Sequence, residues 1–175
     1  MNNTRTLIEV AGGRKHRLAD STVSPGNPRY DASHPLHGPS AMGLFSGKRP
    51  RELGVRDGRV RLPPSTPNAV SSQATGGYHQ IAPIVYTGTR EAALAFLKSV
   101  IGNSQRTRVV TATADYVYAE YQSRWLGYVD DVEFYFPANE KLIHVRSASR
   151  LGTSDFGVNR RRIESIRRQF LRQET

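Results

Sequence analysis

The chain has 175 residues, 37% of them hydrophobic, and a formal net charge of +10. That length suits one domain with a modest core and some sequence to spare. The absence of cysteine excludes disulfides, thiolate metal sites and cysteine nucleophiles, and leaves the redox compartment open.

The charge is uneven. Residues 1–41 carry five basic and three acidic side chains, residues 42–61 six and two, residues 156–175 six and two, and residues 62–155 eight of each. The body is neutral, and the excess sits in an arm and a terminal helix. The apolar run from Ala92 to Ile101 is broken by Lys98. It is far shorter than the roughly 20 residues a spanning helix needs. The first 20 residues lack the apolar centre of a secretory signal. A soluble, cytoplasmic protein is therefore expected.

Residues 1–41 show no apolar period and contain SPGNP and HPLHGPS. Such sequence buries too little to offset its ordering entropy, so a disordered or non-native N-terminal extension is expected. Met42 opens MGLFSGKRP and reads as a natural start, which the intact mass of the natively expressed protein would test. His34 and His37 have no third ligand near them, so no metal site is expected. Residues 42–76 contain GKRP, RDGR and LPPSTPN. Prolines block regular hydrogen bonding, so this stretch is expected to be an extended irregular arm lying on the domain.

Regular structure is expected from near His79, within an α+β domain spanning residues 77–175. HQIAPIVYT reads as a strand. Thr89 is a good N-cap with Glu91 in the first turn. Leu94, Leu97 and Ile101 follow at helical spacing, and Gly102 is a stop. RVVTAT, YVYAEYQS, VDDVEFYF and LIHVRSAS read as strands joined by short connections, hence antiparallel neighbours. Ser154 or Asp155 can cap a last helix whose stripe is Ile163, Ile166 and Phe170. The element order implies an antiparallel β-sheet with two helices packed on one face.

Four stretches carry a resemblance: GLFSGKRPRELGVRDGRV, STPNAVSSQA, YVDDVEFYFP and HVRSASRLGTSDFGVNRRRIESIRRQF. From about Met42 to Phe170 the chain resembles the bacterial and plastid family known as domain of unknown function 1499. The family pattern usually has Cys where this chain has Ala69, so the resemblance implies no thiol role here. It implies no known activity or cofactor. Related chains often look membrane-associated or exported, although this one shows no anchor.

Period-two alternation sorts the strand side chains. Val117, Ala119, Tyr121, Val132, Phe134, Phe136, Ile143 and Val145 should meet the helices. The other face collects Glu120, Asp131, Glu133, His144 and Arg146, with Tyr116, Tyr118 and Tyr135 between them. Asp131, Glu133 and His144 are the candidate catalytic residues, since a carboxylate can set the tautomer of an imidazole while Arg146 holds an anion. The competing reading is cross-strand pairing on a wet sheet face. A third is a buried network that docks the arm. Arg146, if buried, requires Asp131, Glu133 or Glu120 as its partner.

A second cluster surrounds the start of the last helix: Arg146, Ser147, Ser149, Arg150, Ser154, Asp155 and Asn159. Free amides there could bind an anion, or the polar side chains could simply cap and shape the loop. The last helix also carries Arg160, Arg161, Arg162, Arg167, Arg168 and Arg172. No aromatic interleaves them outside the apolar stripe to which Phe170 belongs, so nucleic acid is not an expected partner. Ser71 and Ser72 have no nucleophile-elbow context.

No complete catalytic constellation is present. The expected function is a non-enzymatic binding or interaction module, without a cofactor, whose partner is a protein, a small anionic ligand or a lipid headgroup. The alternative is an enzyme acting on a small anionic substrate. Peripheral membrane contact is the alternative to a purely cytoplasmic location.

Overall fold

The computed structural model describes residues 46–173, so the expectations for residues 1–41, including His34 and His37, lie outside the described residues. Asp57 and Gly58 both adopt positive φ, at 51° and 71°. This is the backbone of a two-residue hairpin turn, and it joins β1 (Val55–Arg56) to β2 (Arg59–Val60). The expected irregular arm therefore contains a small hairpin, and its Asp-Gly pair between valines is the signal for it.

The main sheet forms where the alternating strands were expected. β5 (Thr107–Ala112), β6 (Tyr116–Gln122), β7 (Val129–Tyr135) and β8 (Leu142–Ser149) pair antiparallel in sequence order. β3 (Ala69–Ser71) adds to the free edge of β8, with Ser71 opposite Arg146. β4 (Ile84–Val85) pairs with the start of β8 on the same side. The order is β3-β8-β7-β6-β5, with β4 beside β3 on β8. Two expectations shift. Regular structure starts before His79, because Ala69–Ser71 is buried against β8 despite its proline-rich approach. The strand expected over HQIAPIVYT shrinks to Ile84–Val85, since Pro83 has no amide to donate.

α1 (Arg90–Gly102) begins at Thr89, whose hydroxyl accepts from the Ala92 amide at 3.1 Å. Asn103, not a left-handed glycine, caps its end. α2 (Val158–Gln173) is capped by Asp155, whose carboxylate accepts from the Gly157 and Asn159 amides at 3.0 and 2.9 Å. Both helices lie on one face of the sheet. Leu97 and Ile101 from α1, Ile163, Ile166 and Phe170 from α2, and Val117, Val132, Phe134, Phe136, Ile143 and Val145 from the strands form one core. Phe96 meets Phe170 edge to face at 4.8 Å, joining the two helices. The core face of the sheet is the one its alternation specifies. No helix of the described residues is long and apolar enough to cross a membrane.

Candidate functional site

The opposite sheet face carries the polar cluster, and its centre is Arg150. This residue follows β8 and its side chain is 1% exposed. Its Nε donates to both oxygens of Asp131, at 3.1 and 3.0 Å. Its Nη2 donates to Asp131 Oδ1 at 2.7 Å and to Glu120 Oε1 at 2.5 Å. The Tyr118 hydroxyl in turn donates to Asp131 Oδ1 at 2.5 Å. Burial alone would discharge Arg150, but its hydrogen bonds to Asp131 and Glu120 prevail and raise its pKa. Burial also opposes charge on Glu120, yet hydrogen bonds from Arg150 and Arg49 hold it down at about 2. Burial, reinforced by the Asp131 hydrogen bond, raises the Tyr118 pKa.

Two register positions along, on the same face, Glu133 lies opposite Arg146 across β7 and β8. Arg146 Nη1 donates to Glu133 Oε2 at 3.1 Å, the pairing that the sequence requires of a buried arginine. The other Glu133 oxygen accepts from the Tyr116 hydroxyl and from the Gly54 amide, both at 2.8 Å. Burial, then the Glu133 charge, raises the Tyr116 pKa. Arg146 Nε is buried and has no hydrogen-bond partner among the described residues.

The segment 46–61 covers this face. Arg49 reaches Glu120 at 2.6 Å, and Ser46 O accepts from Arg150 at 3.5 Å. Gly47 has φ +65°, and a Cβ there would lie 3.0 Å from Arg150 Cβ, so only glycine lets the backbone approach so closely. At the far end Gln73 ties down the hairpin, accepting from the Val60 amide and donating to Gly58 O, both at 2.9 Å. Every carboxylate of the cluster thus has donors from inside the protein. Such an arrangement holds a segment in place.

His144 does not join the carboxylates. It lies opposite Tyr135, its ring stacked on that ring at 6.2 Å. Its Nδ1 is 3.1 Å from Ser72 Oγ, which itself accepts from the Val145 amide. Burial lowers the His144 pKa against a weaker opposite pull from Glu140. Ser72 carried no signal in the sequence beyond its place in a run of small polar residues.

The loop cluster is also internally satisfied. Asn159 is fully buried. Its Nδ2 donates to Asn68 O and Ser149 Oγ, while its Oδ1 accepts from Ser147 and Arg162. Tyr78 donates its hydroxyl to Asp155 at 2.7 Å. Burial opposes ionisation of Asp155, but this bond and the helix amides win and lower its pKa. The amides at the start of α2 are occupied by Asp155, and Ser154 Oγ accepts from the Phe156 amide. Arginines of α2 turn inward as well. Arg160 donates to Tyr78 O and Gln80 O, Arg167 to Ala82 O and Pro83 O, and Arg162 to Asp130. The helix fastens the connector between β3 and β4 through its backbone carbonyls.

What sequence reading passed over is one end of the sheet. The β6–β7 turn carries Trp125, 84% exposed, and the β8–α2 loop carries Phe156, 86% exposed. The Arg150 amide donates to Val129 O at 3.1 Å, so the two loops leave the sheet side by side. With Leu126, Tyr128, Leu151 and Val158, six of the ten exposed large apolar side chains among the described residues gather there. The signal was RWLGY: a tryptophan and a leucine in a turn, where polar residues are the norm.

A family model described as a protein of unknown function (DUF1499) matches residues 59–170, well over half of the chain. No curated protein matches, and no solved structure matches.

Proposed function

We propose that this chain, which belongs to the DUF1499 family of proteins of unknown function, is a non-enzymatic interaction module that works through the exposed apolar end of its sheet. The observation that carries this reading is the gathering of Trp125, Leu126, Leu151 and Phe156 on adjoining loops. Large apolar side chains gathered in water mark a contact surface. The polar groups support the same reading from the other side. Asp131, Glu133, Arg146, Arg150, Asp155 and Asn159 bond to one another and to the covering segment. A turnover mechanism through Asp131, Glu133 and His144 would need the segment 46–61 to lift and an imidazole to approach a carboxylate. The reading takes the cytoplasm as the compartment, with contact at the membrane periphery as the alternative.

A photoreactive residue placed at position 125 or 156 in the natively expressed protein tests this. Val85, 64% exposed at the opposite end of β8, is the control position. Adducts are expected at 125 and 156 and not at 85. Equal labelling at all three, or no adduct to protein or lipid at any of them, would overturn the reading.

A further inference from the structure

Phe156 is a costly residue where it stands. Its φ is +50°, a left-handed conformation that a side chain other than glycine, asparagine or aspartate seldom adopts. Asp155 and Arg161 hold the backbone there, Arg161 by donating to Phe156 O at 2.9 Å. The ring itself points into water. Trp125 is similar: a turn of Ser123 to Tyr128, closed by the Ser123 amide on Tyr128 O, displays an indole that the core does not use. Two separate turns at one end of the sheet thus each project one aromatic ring, and Leu126, Leu151 and Val158, exposed as well, lie within or next to those turns in sequence.

The charge around these rings has one sign. The α1–β5 loop reaches the same end, because the Gln122 amide donates to Arg106 O. Across the loops 102–106, 123–128 and 151–157 the charged residues are Arg106, Arg124 and Asp155. Asp155 is buried and tied to Tyr78, while both arginines are exposed. The Arg124 guanidinium sits 4.8 Å from the Trp125 ring centre. Among the described residues, these three loops therefore offer aromatic and aliphatic side chains with cations at their base and no exposed carboxylate.

We propose that this end of the sheet docks on an anionic lipid bilayer, with Trp125, Leu126 and Phe156 entering the boundary between headgroups and acyl chains, and Arg106 and Arg124 meeting lipid phosphates. Tryptophan prefers that boundary because its ring is apolar and its N–H is wet. Arginine stems lie along apolar surface while their heads reach anionic groups. A fluid bilayer closes around separate projecting side chains, whereas a protein partner must offer a preformed pocket to each. Leucine and valine have no face on which a base can stack, which disfavours nucleic acid. The proposal rests on the interaction-module reading and names its partner.

Trp125 is the only tryptophan of the chain, so its emission reports this surface directly. The full chain is mixed with vesicles of phosphatidylcholine alone, or with about one third phosphatidylglycerol. Co-sedimentation with the anionic vesicles is expected, together with a blue shift of emission and quenching by brominated acyl chains. Phe156→Ala should weaken this binding on the order of tenfold, and Trp125→Ala likewise by sedimentation. Arg106→Glu with Arg124→Glu should abolish the preference for anionic vesicles. All four positions are exposed, and far-UV circular dichroism checks that the variants fold. Sedimentation without a change in emission would place the contact elsewhere on the protein and overturn the proposal, as would no sedimentation. Protein adducts at position 125 without vesicle binding would sink the lipid partner and leave the interaction reading standing; neither adducts nor binding sinks both.

Discussion

Arg146 and Glu133 show how a single pair can fix a sheet face. Glu133 is fully buried and takes three donors, one of them the Arg146 guanidinium. Truncating the arginine leaves a carboxylate charge with no counterion beneath the covering segment. Arg146→Ala should therefore cost about 3–5 kcal/mol in a denaturant titration. A change near zero would mean that solvent already screens the pair. Glu120 gives a pH signature instead. Its folded pKa, about 2, lies below the ordinary value of 4.5. A depressed carboxylate contributes stability that is present above the ordinary value and is lost as pH falls toward the folded one. Melting temperature should thus fall between about pH 5 and pH 2, and Glu120→Gln should flatten that part of the curve. His144 should titrate below the ordinary histidine value in an NMR pH series, because burial disfavours its charged form.

At the scale of elements, the central question is what attaches the segment 46–61. Its anchors are a few polar contacts and one close approach, with little apolar burial, since of its side chains only Val60 is buried. Gly47→Ala must either abandon φ +65° or press a methyl group 3.0 Å from Arg150 Cβ. The conformational part alone costs about 1–2 kcal/mol. Amide hydrogen exchange reads the result by position. In the parent chain the Gly54 and Val60 amides should be protected, since they donate to Glu133 and Gln73, and the hairpin tip should not. Gly47→Ala should speed exchange at Gly54 and leave β7 slow; equal rates in parent and variant would show that Gly47 does not hold the segment down. In the core, Phe134 from β7 is fully buried between both helices and the sheet. Phe134→Ala should cost about 3–5 kcal/mol, and a loss below about 1 kcal/mol would contradict its place in the core.

For the whole molecule, the two faces of one sheet do different work. The helix face binds α1, α2 and five strands into a single apolar core, so those elements should unfold together. The far face holds a segment through charge and hydrogen bonds. The single tryptophan lies outside both, already in water. Unfolding should therefore move its emission little while far-UV circular dichroism reports the full transition. A large red shift on unfolding would mean that Trp125 is covered in solution, and would remove the ground for an open docking surface.

Alternation and capping determined much of this protein on their own. The period of two in YVYAEYQS, VDDVEFYF and LIHVRSAS set which residues face the core, because a strand with one apolar face has only one way to bury it. Thr89, and Ser154 or Asp155, marked the two helix starts, since capping is a contact within a few residues; the structure uses Asp155 for the second. The need of a buried arginine for a carboxylate narrowed the partner of Arg146 to Asp131, Glu133 or Glu120, and the β7–β8 register selected Glu133. Other choices belonged to tertiary structure. β3 forms only because the edge of β8 offers it hydrogen-bond partners that three residues cannot supply for themselves. His144 chose Ser72 and Tyr135 over the carboxylates because its register places it two pairs beyond Arg146, opposite Tyr135. Whether the acidic face lay open or covered depended on where the segment 46–61 came to rest. Its anchors, Arg49, Gly54 and Ser46, act at sequence separations of 71, 79 and 104 residues. Local pattern carries no information over such distances; only the folded sheet brings those groups within reach of one another.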